Sequence, residues 1–452
     1  MNKQTLSNMD PSRRKILKNT SAVAAGIGIG LPWGEKALAA TRKAAPSDTV
    51  NLALIGAKNR GFHVLRHHLA LGDAKCVALC DVDEAVLNDR ANELKELGHK
   101  PRLYQDYRKM LENKDIDAVI IGTPDHWHCL PYVHACEQGM DVYVEKPMAN
   151  TIEECNVMVR AAHKYNRVVQ VGQQQRSSPH WAEIMKKIAS GDLGKLRKVE
   201  MWANFNYAVG AKVTADTPVP KGVDYDLWLG PAPLRKTFNT NRFHGNWRMW
   251  WDYGGGLMTD WGVHLIDMGL WAGGLKSDPA QVLAYGKNLS FEDHAHETYD
   301  TMSVTWPLDD YVLTWEHTAG TQNGPYDKPY GIRFICDQAT VLADRGGYRI
   351  VPEWDDVKKA GKVEEFTRGR EQTPYEFHAR NFIDCIKDRK ETVCPPETGR
   401  QVAVFANLAN IAVRTETYKL DWDGKSNRFT NSDEANKFIV PEYRSPWEFP
   451  KV

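Results

Sequence analysis

The chain has 452 residues, and its 58 lysines and arginines balance 58 aspartates and glutamates, so the formal net charge is zero. This balance gives no support to a nucleic-acid-binding protein or to a protein held on an anionic membrane by charge. The length exceeds what one ordinary hydrophobic core accommodates and predicts two domains. Eight cysteines without a C-x-x-C pair argue against a disulfide framework or a zinc knuckle, and we interpret them as packing residues.

The first 39 residues have the pattern of an export signal. Residues 12–18 contain two adjacent arginines, an apolar run follows over 21–31, and residues 37–39 form an A-x-A cleavage site. The apolar run is too short to span a bilayer, and a basic amphipathic arm without a targeting role is the competing interpretation. We expect a twin-arginine signal over 1–39, a linker over 40–48 and a periplasmic location.

A predicted buried strand over 50–55 leads into a glycine-containing turn and then into an amphipathic helix over 62–71. This order of strand, turn and helix is that of a dinucleotide-binding unit. The turn residues expected to contact the cofactor are Gly56, Lys58, Asn59, Arg60 and Gly61. Lys58 stands where the G-x-G-x-x-G pattern has its middle glycine, so Lys58 or Arg60 is expected to supply charge to the pyrophosphate instead.

A second predicted strand, 76–80, ends at Asp81, twenty residues beyond Gly61. A carboxylate at this distance from the turn binds the ribose hydroxyls of adenosine. Its negative charge also repels a 2′-phosphate. The sequence therefore favours NAD over NADP.

Predicted strands over 117–122, 141–144 and 168–172 alternate with helices and imply a doubly wound parallel sheet over 49–175. Ligands of such sheets lie at the carboxyl ends of the strands. The residues expected there are Thr123, Pro124, Glu145 and Lys146, with His128 beside the nicotinamide ribose. No acidic or cysteine cluster completes a metal set around His128, so no metal is expected.

From residue 176 to 420 the pattern changes to alternating strands. Strands are expected over 198–206, 280–288, 298–306, 311–317, 332–336 and 340–343, and helices over 374–387 and 399–418. Such runs indicate an α+β domain with an open, mostly antiparallel sheet. Residues 421–452 are interpreted as a polar tail.

Three glycines at 254–256 precede a predicted helix that begins near Thr259 or Asp260. On that helix Asp260 and His264 lie four residues apart, where the carboxylate would hold the imidazole and favour its charged form. A surface ion pair at helical spacing is the alternative. The residues expected to contact substrate are Arg176, Trp247, Arg248, Asp260 and His264.

These motifs together resemble the Gfo/Idh/MocA oxidoreductase family, which includes glucose-fructose oxidoreductase and inositol dehydrogenase. The residues that carry the resemblance are the turn at 56–61, Thr123-Pro124, Glu145-Lys146-Pro147 and Asp260-x-x-x-His264. The resemblance implies a Rossmann domain, a second α+β domain and a nicotinamide between them. It places the family's catalytic positions at Lys146, Asp260 and His264.

In the scheme that this resemblance implies, His264 accepts the proton of a sugar hydroxyl while hydride leaves the same carbon. Lys146 hydrogen-bonds the reacting oxygen, and Asp260 orients His264 or the substrate. The expected activity is NAD-dependent oxidation of a secondary hydroxyl of a sugar, glycoside or cyclitol. Because free NAD is scarce outside the cytoplasm, the cofactor is expected to be tightly held.

Two other functions remain open. Some exported relatives oxidise a glycoside transiently, eliminate a substituent, add water and reduce the product, which makes them hydrolases without net redox. A sugar sensor without catalysis is less favoured. Such a sensor would need none of the three catalytic side chains, yet the sequence has all three. The expected partners are a small carbohydrate and further copies of the chain in a homodimer or homotetramer, without nucleic acid or a membrane span.

Overall fold

The computed structural model describes residues 49–274, 276–369 and 374–452. The predicted signal over 1–39 and the linker over 40–48 lie outside the described residues. Within the described ranges, no helix has the length and apolarity that a membrane crossing requires.

The first sheet has six parallel strands in the order β3-β2-β1-β4-β5-β6. They are β1 (Val50–Ile55), β2 (Ala74–Cys80), β3 (Arg102–Tyr104), β4 (Ala118–Ile121), β5 (Asp141–Val144) and β6 (Val169–Val171). The helices between and after them are α1 (Arg60–Leu69), α2 (Glu84–Glu96), α3 (Tyr107–Met110), α4 (Cys129–Glu137), α5 (Ile152–Lys164) and α6 (Pro179–Ala189). The strand order reverses between β1 and β4, which is where sheets of this type bind ligands.

Strand β1 shows why this half of the chain folds as predicted. Leu52 and Leu54 enter the core on one face of the sheet, and Ala53 and Ile55 enter the core on the other. A strand covered on both faces needs a continuous apolar run, which is what its sequence provides. The predicted doubly wound parallel sheet is therefore confirmed.

The second sheet has ten strands and is mostly antiparallel, in the order β14-β13-β12-β11-β7-β10-β9-β8-β15-β16. The strands are β7 (Leu196–Ala203), β8 (Gln281–Lys287), β9 (Thr301–Pro307), β10 (Val312–Thr318), β11 (Tyr330–Cys336), β12 (Ala339–Asp344), β13 (Gly347–Pro352), β14 (Phe366–Gly369), β15 (Lys419–Asp423) and β16 (Arg428–Phe429). Only the β7–β10 pair among them runs parallel. Two-residue pairs join Ala211–Lys212 to His294–Ala295 and Trp354–Asp355 to Ala360–Gly361.

The helices of this half are α7 (Tyr225–Leu229), α8 (Val263–Gly273), α9 (Pro374–Asp388), α10 (Pro396–Arg414) and α11 (Asp433–Asn436). Helix α10 lies between the two sheets. A Cβ on its Gly399 would lie 2.5 Å from Cγ2 of Val171 in β6. Its Phe405 ring lies 5.9 Å from the ring of Trp306 in β9. Helix α10 therefore packs against both sheets.

Several parts of the fold differ from the sequence predictions, among them strand β3 and the short helices α7 and α11, which were not predicted. Helices α5 and α6 were not predicted, although Thr151 and Glu154 form a capping box at the start of α5. Strands β13 to β16 were not predicted either, and the last two lie in or beside the stretch interpreted as a tail. Near the end of that stretch, the buried Trp447 ring packs 4.9 Å from the Trp127 ring.

All eight cysteines lie in the described residues, where they are buried and unpaired. Burial raises the pKa of each thiol, for example that of Cys76 to about 12 and that of Cys336 to about 11. Their interpretation as packing residues agrees with this environment, because an inaccessible protonated thiol is chemically inert.

The close packing of Gly61, in the first turn of α1, against the turn after β1 predicts a large effect on stability. A Cβ on Gly61 would lie 2.1 Å from the carbonyl oxygen of Gly56 and 3.3 Å from Cα of Gly122. Gly61→Ala is therefore expected to lower the free energy of unfolding by about 1–3 kcal/mol, as overpacking does. Urea denaturation measures this change. Gly369→Ala is the matched control, since a Cβ there meets no atom of the described part of the chain within 4 Å. An equal loss in both variants would contradict the packing argument.

Candidate active site

A cleft of about 320 Å³ lies at the carboxyl ends of the parallel strands, facing the segment that leads into α8. Residues from both halves of the chain line it. The predicted site residues found in its wall are Gly56, Lys58, Asn59, Arg60, Asp81, Thr123, Pro124, Glu145, Lys146, Trp247, Arg248, Asp260 and His264. The structure thus brings most of the predicted residues to one place.

Three predicted site residues do not line the cleft. Gly61 packs against Gly56 and Gly122, as described above. His128 is buried, with Nδ1 2.8 Å from the carbonyl oxygen of Pro147 and Nε2 3.1 Å from that of Thr123. It therefore joins the loops after β4 and β5 and does not reach the cleft, which corrects its expected place beside the nicotinamide ribose.

Arg176 is the third of these residues. Its Nε donates to Oδ1 of the fully buried Asp267 at 2.7 Å, and its guanidinium lies 5.1 Å from the centre of the Trp271 ring. This buried ion pair fastens the segment after β6 to α8. The expected substrate contact of Arg176 is therefore corrected to a structural one, because its charge already has a partner.

The turn after β1 has the geometry of a phosphate cradle. Gly56 has a φ of +85°, and a Cβ there would lie 2.7 Å from the backbone nitrogen of Thr123, so only glycine fits. Arg90 braces the turn by donating from Nη2 to the carbonyl oxygen of Lys58 at 2.7 Å. The first turn of α1 begins at Arg60, immediately after it. A helix start beside a glycine turn attracts phosphate oxygens.

Asp81 is fixed to this turn. Its Oδ2 accepts from the backbone nitrogen of Ala57 at 2.8 Å, and its Oδ1 accepts from that of Asp83 at 3.1 Å. Burial raises the pKa of Asp81 to about 6, although these two bonds act in the opposite direction. Asp81 is therefore mainly ionised at neutral pH.

The site residues agree with a bound dinucleotide on chemical grounds. Thr123 carries a buried Oγ1 at the cleft wall that has no hydrogen-bond partner among the described residues. The buried Oε2 of Glu145 likewise lacks one within the same described ranges. The other oxygen of Glu145 accepts from Nε of Arg60 at 2.9 Å. Three features together suit a nicotinamide dinucleotide: the turn at Gly56 that only glycine fits, the carboxylate of Asp81, and the unpaired polar atoms beside Lys146.

Lys146 and Asp260 form the charged centre of the cleft. Nζ of Lys146 lies 2.7 Å from Oδ1 of Asp260 and 2.7 Å from its carbonyl oxygen. Arg248 donates from Nε to the same Oδ1 at 3.2 Å, and Tyr207 donates from its hydroxyl to Oδ2 at 2.7 Å. Burial alone would raise the pKa of Asp260, but the charges of Lys146 and Arg248 hold it well below its usual range.

His264 lies beside this centre without a bond to Asp260. It is buried, its Nδ1 has no hydrogen-bond partner among the described residues, and its ring packs against the edge of Trp261 at 5.8 Å. Burial, followed by the charges of Arg345 and Lys146, lowers its pKa well below the usual value. The imidazole is therefore neutral at neutral pH and able to accept a proton.

The expected Asp260–His264 contact is thus wrong in this structure. The segment Met258–Gly262 is a π-helical turn that runs into α8, so Asp260 lies inside a helix and not at its N-cap. Such bulges change the alignment of side chains and are frequent at functional sites. The Asp260 carboxylate is taken by Lys146, Arg248 and Tyr207, and it cannot also hold the imidazole.

Asp125 is a cleft residue that the sequence analysis did not single out. Its side chain is 5% exposed and lies in the cleft wall. Burial raises its pKa well above the usual value, even though the charges of Lys146 and Arg248 act to lower it. Burial thus favours the protonated carboxyl, the form that can donate a hydrogen bond or a proton.

Several further residues of the cleft wall were not among the predicted contacts. They include Gln174 and seven aromatic or basic side chains, those of Tyr107, Trp127, Trp228, His244, Trp261, Arg345 and Tyr375. His244 reaches across from the second half, with Nε2 3.0 Å from Oδ2 of Asp83. The richness in tryptophan was the available signal, but core packing uses the same residue type more often. In the described part of the chain, no group of three His, Cys, Asp or Glu is arranged to hold a metal ion.

Family comparisons agree with this architecture. A model described as "Oxidoreductase family, NAD-binding Rossmann fold" of the Gfo/Idh/MocA group matches residues 50–173. The model described as "Oxidoreductase family, C-terminal alpha/beta domain" matches 180–285 and 362–449. A third, described as "GFO/IDH/MocA C-terminal domain", matches 233–342.

Curated relatives are similar over part of the chain. A "Glycosyl hydrolase family 109 protein" of Shewanella baltica (strain OS185) is 31% identical over 202 residues, 41% of this chain and 44% of the relative. An "Alpha-N-acetylgalactosaminidase" of Shewanella oneidensis is 29% identical over 202 residues, with the same coverage of 41% and 44%. The chain thus matches less than half the length of these relatives.

Solved structures share the fold over most of their length. "Levoglucosan dehydrogenase, complex with NADH and levoglucosan" is 17% identical with a TM-score of 0.63, covering 82% of this chain and 99% of that one. The "aldose-aldose oxidoreductase from Caulobacter crescentus complexed with glycerol" is 17% identical with a TM-score of 0.62 and the same coverage, 82% and 99%. Likeness at this identity establishes the fold.

Proposed function

Since the chain belongs to the Gfo/Idh/MocA oxidoreductase family, we propose that it is an NAD-dependent oxidoreductase acting on a secondary hydroxyl of a sugar, glycoside or cyclitol. The observation that carries this proposal is the meeting of Lys146 and a neutral His264 in one cleft with the Gly56 cradle. When bound, the nicotinamide supplies the hydride acceptor. The protein supplies the base, the charge and the alignment.

His264 accepts the proton of the substrate hydroxyl, because its imidazole is neutral and lies in the cleft wall. Lys146 donates a hydrogen bond to the same oxygen as negative charge develops there. Asp260 is the positioning residue of this arrangement, since it holds Nζ of Lys146 through both its carboxylate and its carbonyl oxygen. Tyr207 and Arg248 fix the Asp260 carboxylate in turn.

The proposal is tested on protein purified without added nucleotide. We expect dinucleotide to be present by absorbance and mass spectrometry, and reduced nicotinamide to appear on addition of a substrate from a panel of sugars, glycosides and cyclitols. A stable keto product identifies net oxidation. Protein that carries no dinucleotide, binds none when it is added and reduces none with any compound of the panel would remove the proposal.

The preference for NAD over NADP rests on Asp81. Its ionised carboxylate beside the Ala57 turn opposes a 2′-phosphate, and one charge–charge contact is worth on the order of 1 kcal/mol or more near a protein surface. Asp81→Asn is therefore expected to shift the ratio of NADP to NAD affinity toward NADP by about tenfold. Titration with each nucleotide measures the ratio. Asp89→Asn, at an exposed position of α2, is the control, and an unchanged ratio in Asp81→Asn would count against the assignment.

A second candidate is redox-assisted glycoside hydrolysis, favoured by the names of the curated relatives and by Asp125. In that reaction the oxidised sugar loses a proton from the neighbouring carbon, the glycosidic oxygen leaves, water adds and hydride returns to the sugar. The protonated Asp125 carboxyl can supply the proton to the leaving oxygen. Released sugar without a carbonyl product, together with deuterium incorporated from heavy water, supports hydrolysis; a keto product without release supports dehydrogenation.

Location and assembly belong to the same proposal. The paired arginines and the A-x-A site motivate export by the twin-arginine pathway to the periplasm. An exported enzyme of this type benefits from carrying its cofactor through successive turnovers. The open sheet motivates a homodimer or homotetramer by analogy with the family. Cell fractionation and light scattering test the two points separately.

A further inference from the structure

Arg345 lies in the tight turn between β12 and β13, and its side chain reaches the cleft wall. Its guanidinium carbon lies 4.4 Å from the centre of the Trp261 ring. Its Nε donates to Oε1 of Gln175 at 2.9 Å. Nε2 of Gln175 lies 3.4 Å from the carbonyl oxygen of His264. The guanidinium is thus held in a fixed relation to the proposed base by stacking and by one intervening amide.

Within residues 49–274, 276–369 and 374–452, the charge of Arg345 has no ion-pair partner. Arg60 pairs with Glu145, while Lys146 and Arg248 share Asp260. No carboxylate of the described residues lies within ion-pairing distance of Arg345, and its two terminal nitrogens have no hydrogen-bond partner in those ranges. A partly buried cation without an anion is unfavourable, and a guanidinium fork binds two oxygens of one oxyanion in parallel.

The inner end of the cleft therefore carries an excess of positive charge. Lys146, Arg248 and Arg345 lie near the Asp260 carboxylate, which Lys146 and Arg248 already hold, and burial raises the pKa of the nearby Asp125 well above its usual value. The other groups close to Arg345 are the Trp261 ring, the Gln175 amide, the phenols of Tyr330 and Tyr375, the guanidinium of Arg60 and the carboxylate of Asp260, which already pairs with Lys146 and Arg248. An anionic group on a ligand would balance this charge.

We propose that Arg345 binds an oxyanion substituent of the substrate, so that the carbohydrate recognised by this cleft is an acidic one carrying a carboxylate or a sulfate. This inference rests on the proposed function, because the same cleft is assigned to carbohydrate. The terminal nitrogens provide the fork, Trp261 and Gln175 keep it in place, and the fixed distance to His264 sets which hydroxyl meets the base.

Anion binding at Arg345 has a consequence for the base. The charge of Arg345 is the first of the charge effects that lower the pKa of His264. An oxyanion on the guanidinium cancels part of that effect, so the proton affinity of His264 rises once substrate is bound. The correct substrate thereby strengthens the group that accepts its proton, and a neutral analogue does not.

The test compares matched pairs of methyl glycosides with the holoprotein: a glucuronide with its glucoside, a galacturonide with its galactoside, and the 6-sulfates of the two neutral sugars. Calorimetric titration gives the ratio of affinities within each pair. A hydrogen bond to a charged group is worth about 1.5–3 kcal/mol, so the acid is expected to bind about 10-fold to 150-fold more tightly than its neutral partner. Preference for the uronate, for the sulfate or for both identifies the oxyanion.

Arg345→Gln is expected to bring that ratio close to one, and Arg345→Lys is expected to keep part of it, since the charge remains and the fork is lost. Arg349→Gln is the matched control, because Arg349 pairs with Glu365 on the exposed side of β13 at 2.6 Å, outside the cleft. Circular dichroism and retained dinucleotide verify folding. If Arg345→Gln does not fold, two other measurements test the inference. They are the ratio of acid to neutral affinity in Arg345→Lys and the dependence of that ratio on salt concentration in the parent protein.

Equal binding of acid and neutral partner in every pair, or a preference that Arg345→Gln leaves intact, overturns the inference. Failure of the proposed function gives a different result. If an acidic glycoside binds through Arg345 but no nicotinamide is reduced and no product forms, the oxyanion site is supported and the proposed reaction is contradicted. If a neutral glycoside turns over and its acid is not preferred, the proposed reaction is supported and the oxyanion site is contradicted.

Discussion

Replacement of Lys146 by methionine is expected to lower kcat by about 10²-fold or more while the dinucleotide remains bound. The variant keeps the volume of the side chain and removes the ammonium group that lies 2.7 Å from Asp260. Without it, the donor proposed for the substrate oxygen is lost as negative charge develops. Arg248 and Tyr207 still hold the Asp260 carboxylate, so the site does not collapse around an unpaired charge.

Steady-state kinetics, bound dinucleotide and thermal stability are measured together for this variant. Lys109→Met is the matched control, because Lys109 is exposed, lies outside the cleft wall and pairs with Glu112 at 3.2 Å. A kcat in Lys146→Met within a few-fold of the control, with cofactor bound in both, would take the catalytic role from Lys146. Loss of the cofactor itself would instead show that Lys146 acts mainly in dinucleotide binding.

Removal of the imidazole in His264→Ala is expected to lower kcat by about 10²-fold to 10⁴-fold, the range of general-base contributions. Only the deprotonated imidazole accepts a proton, and the pKa of His264 lies well below its usual value because of burial and the charges of Arg345 and Lys146. The turnover of the parent protein should therefore be flat through neutral pH and fall only at acidic pH, as His264 becomes protonated. A pH profile of kcat/KM measures this limb.

The control for this variant is His163→Ala, since His163 is exposed and pairs with Glu397 on the surface. The same profile recorded for Arg345→Gln should show the acidic limb at higher pH, because a positive charge beside the imidazole has been removed. A limb that stays in place in that variant, or normal turnover without His264, would mean that another group accepts the proton.

Five of the six strands of the first sheet were predicted because each of the five carries a local signal, whereas β3, with three mostly exposed residues, does not. The apolar run of β1, the turn at Gly56 and the carboxylate at Asp81 follow one another within a short stretch, and no distant contact is needed to interpret them. Helix α5 carried a local signal too, the capping box of Thr151 and Glu154, and it was overlooked.

The contacts between residues inside the site could not be predicted from local sequence patterns. Asp260 and His264 have helical spacing, but the carboxylate is held by Lys146, 114 positions away, and by Tyr207, 53 positions away. The π-helical turn that makes this possible has no sequence rule as simple as that of a capping box. The expected positions of His128 and Arg176 differ from the structure for the same reason. Only the folded chain shows that the His128 ring lies between two carbonyl oxygens and that Arg176 pairs with Asp267.

The buried cysteine thiols can report which part of the folded protein unfolds first. Cys336 lies in the core of the second sheet, whereas Cys76 lies in a core of the first. An alkylating reagent present during partial denaturation labels a sulfur only after its own layer has separated. Peptide mapping of the added mass would then distinguish loosening around the nucleotide turn from loosening of the carbohydrate-facing half, without any engineered probe.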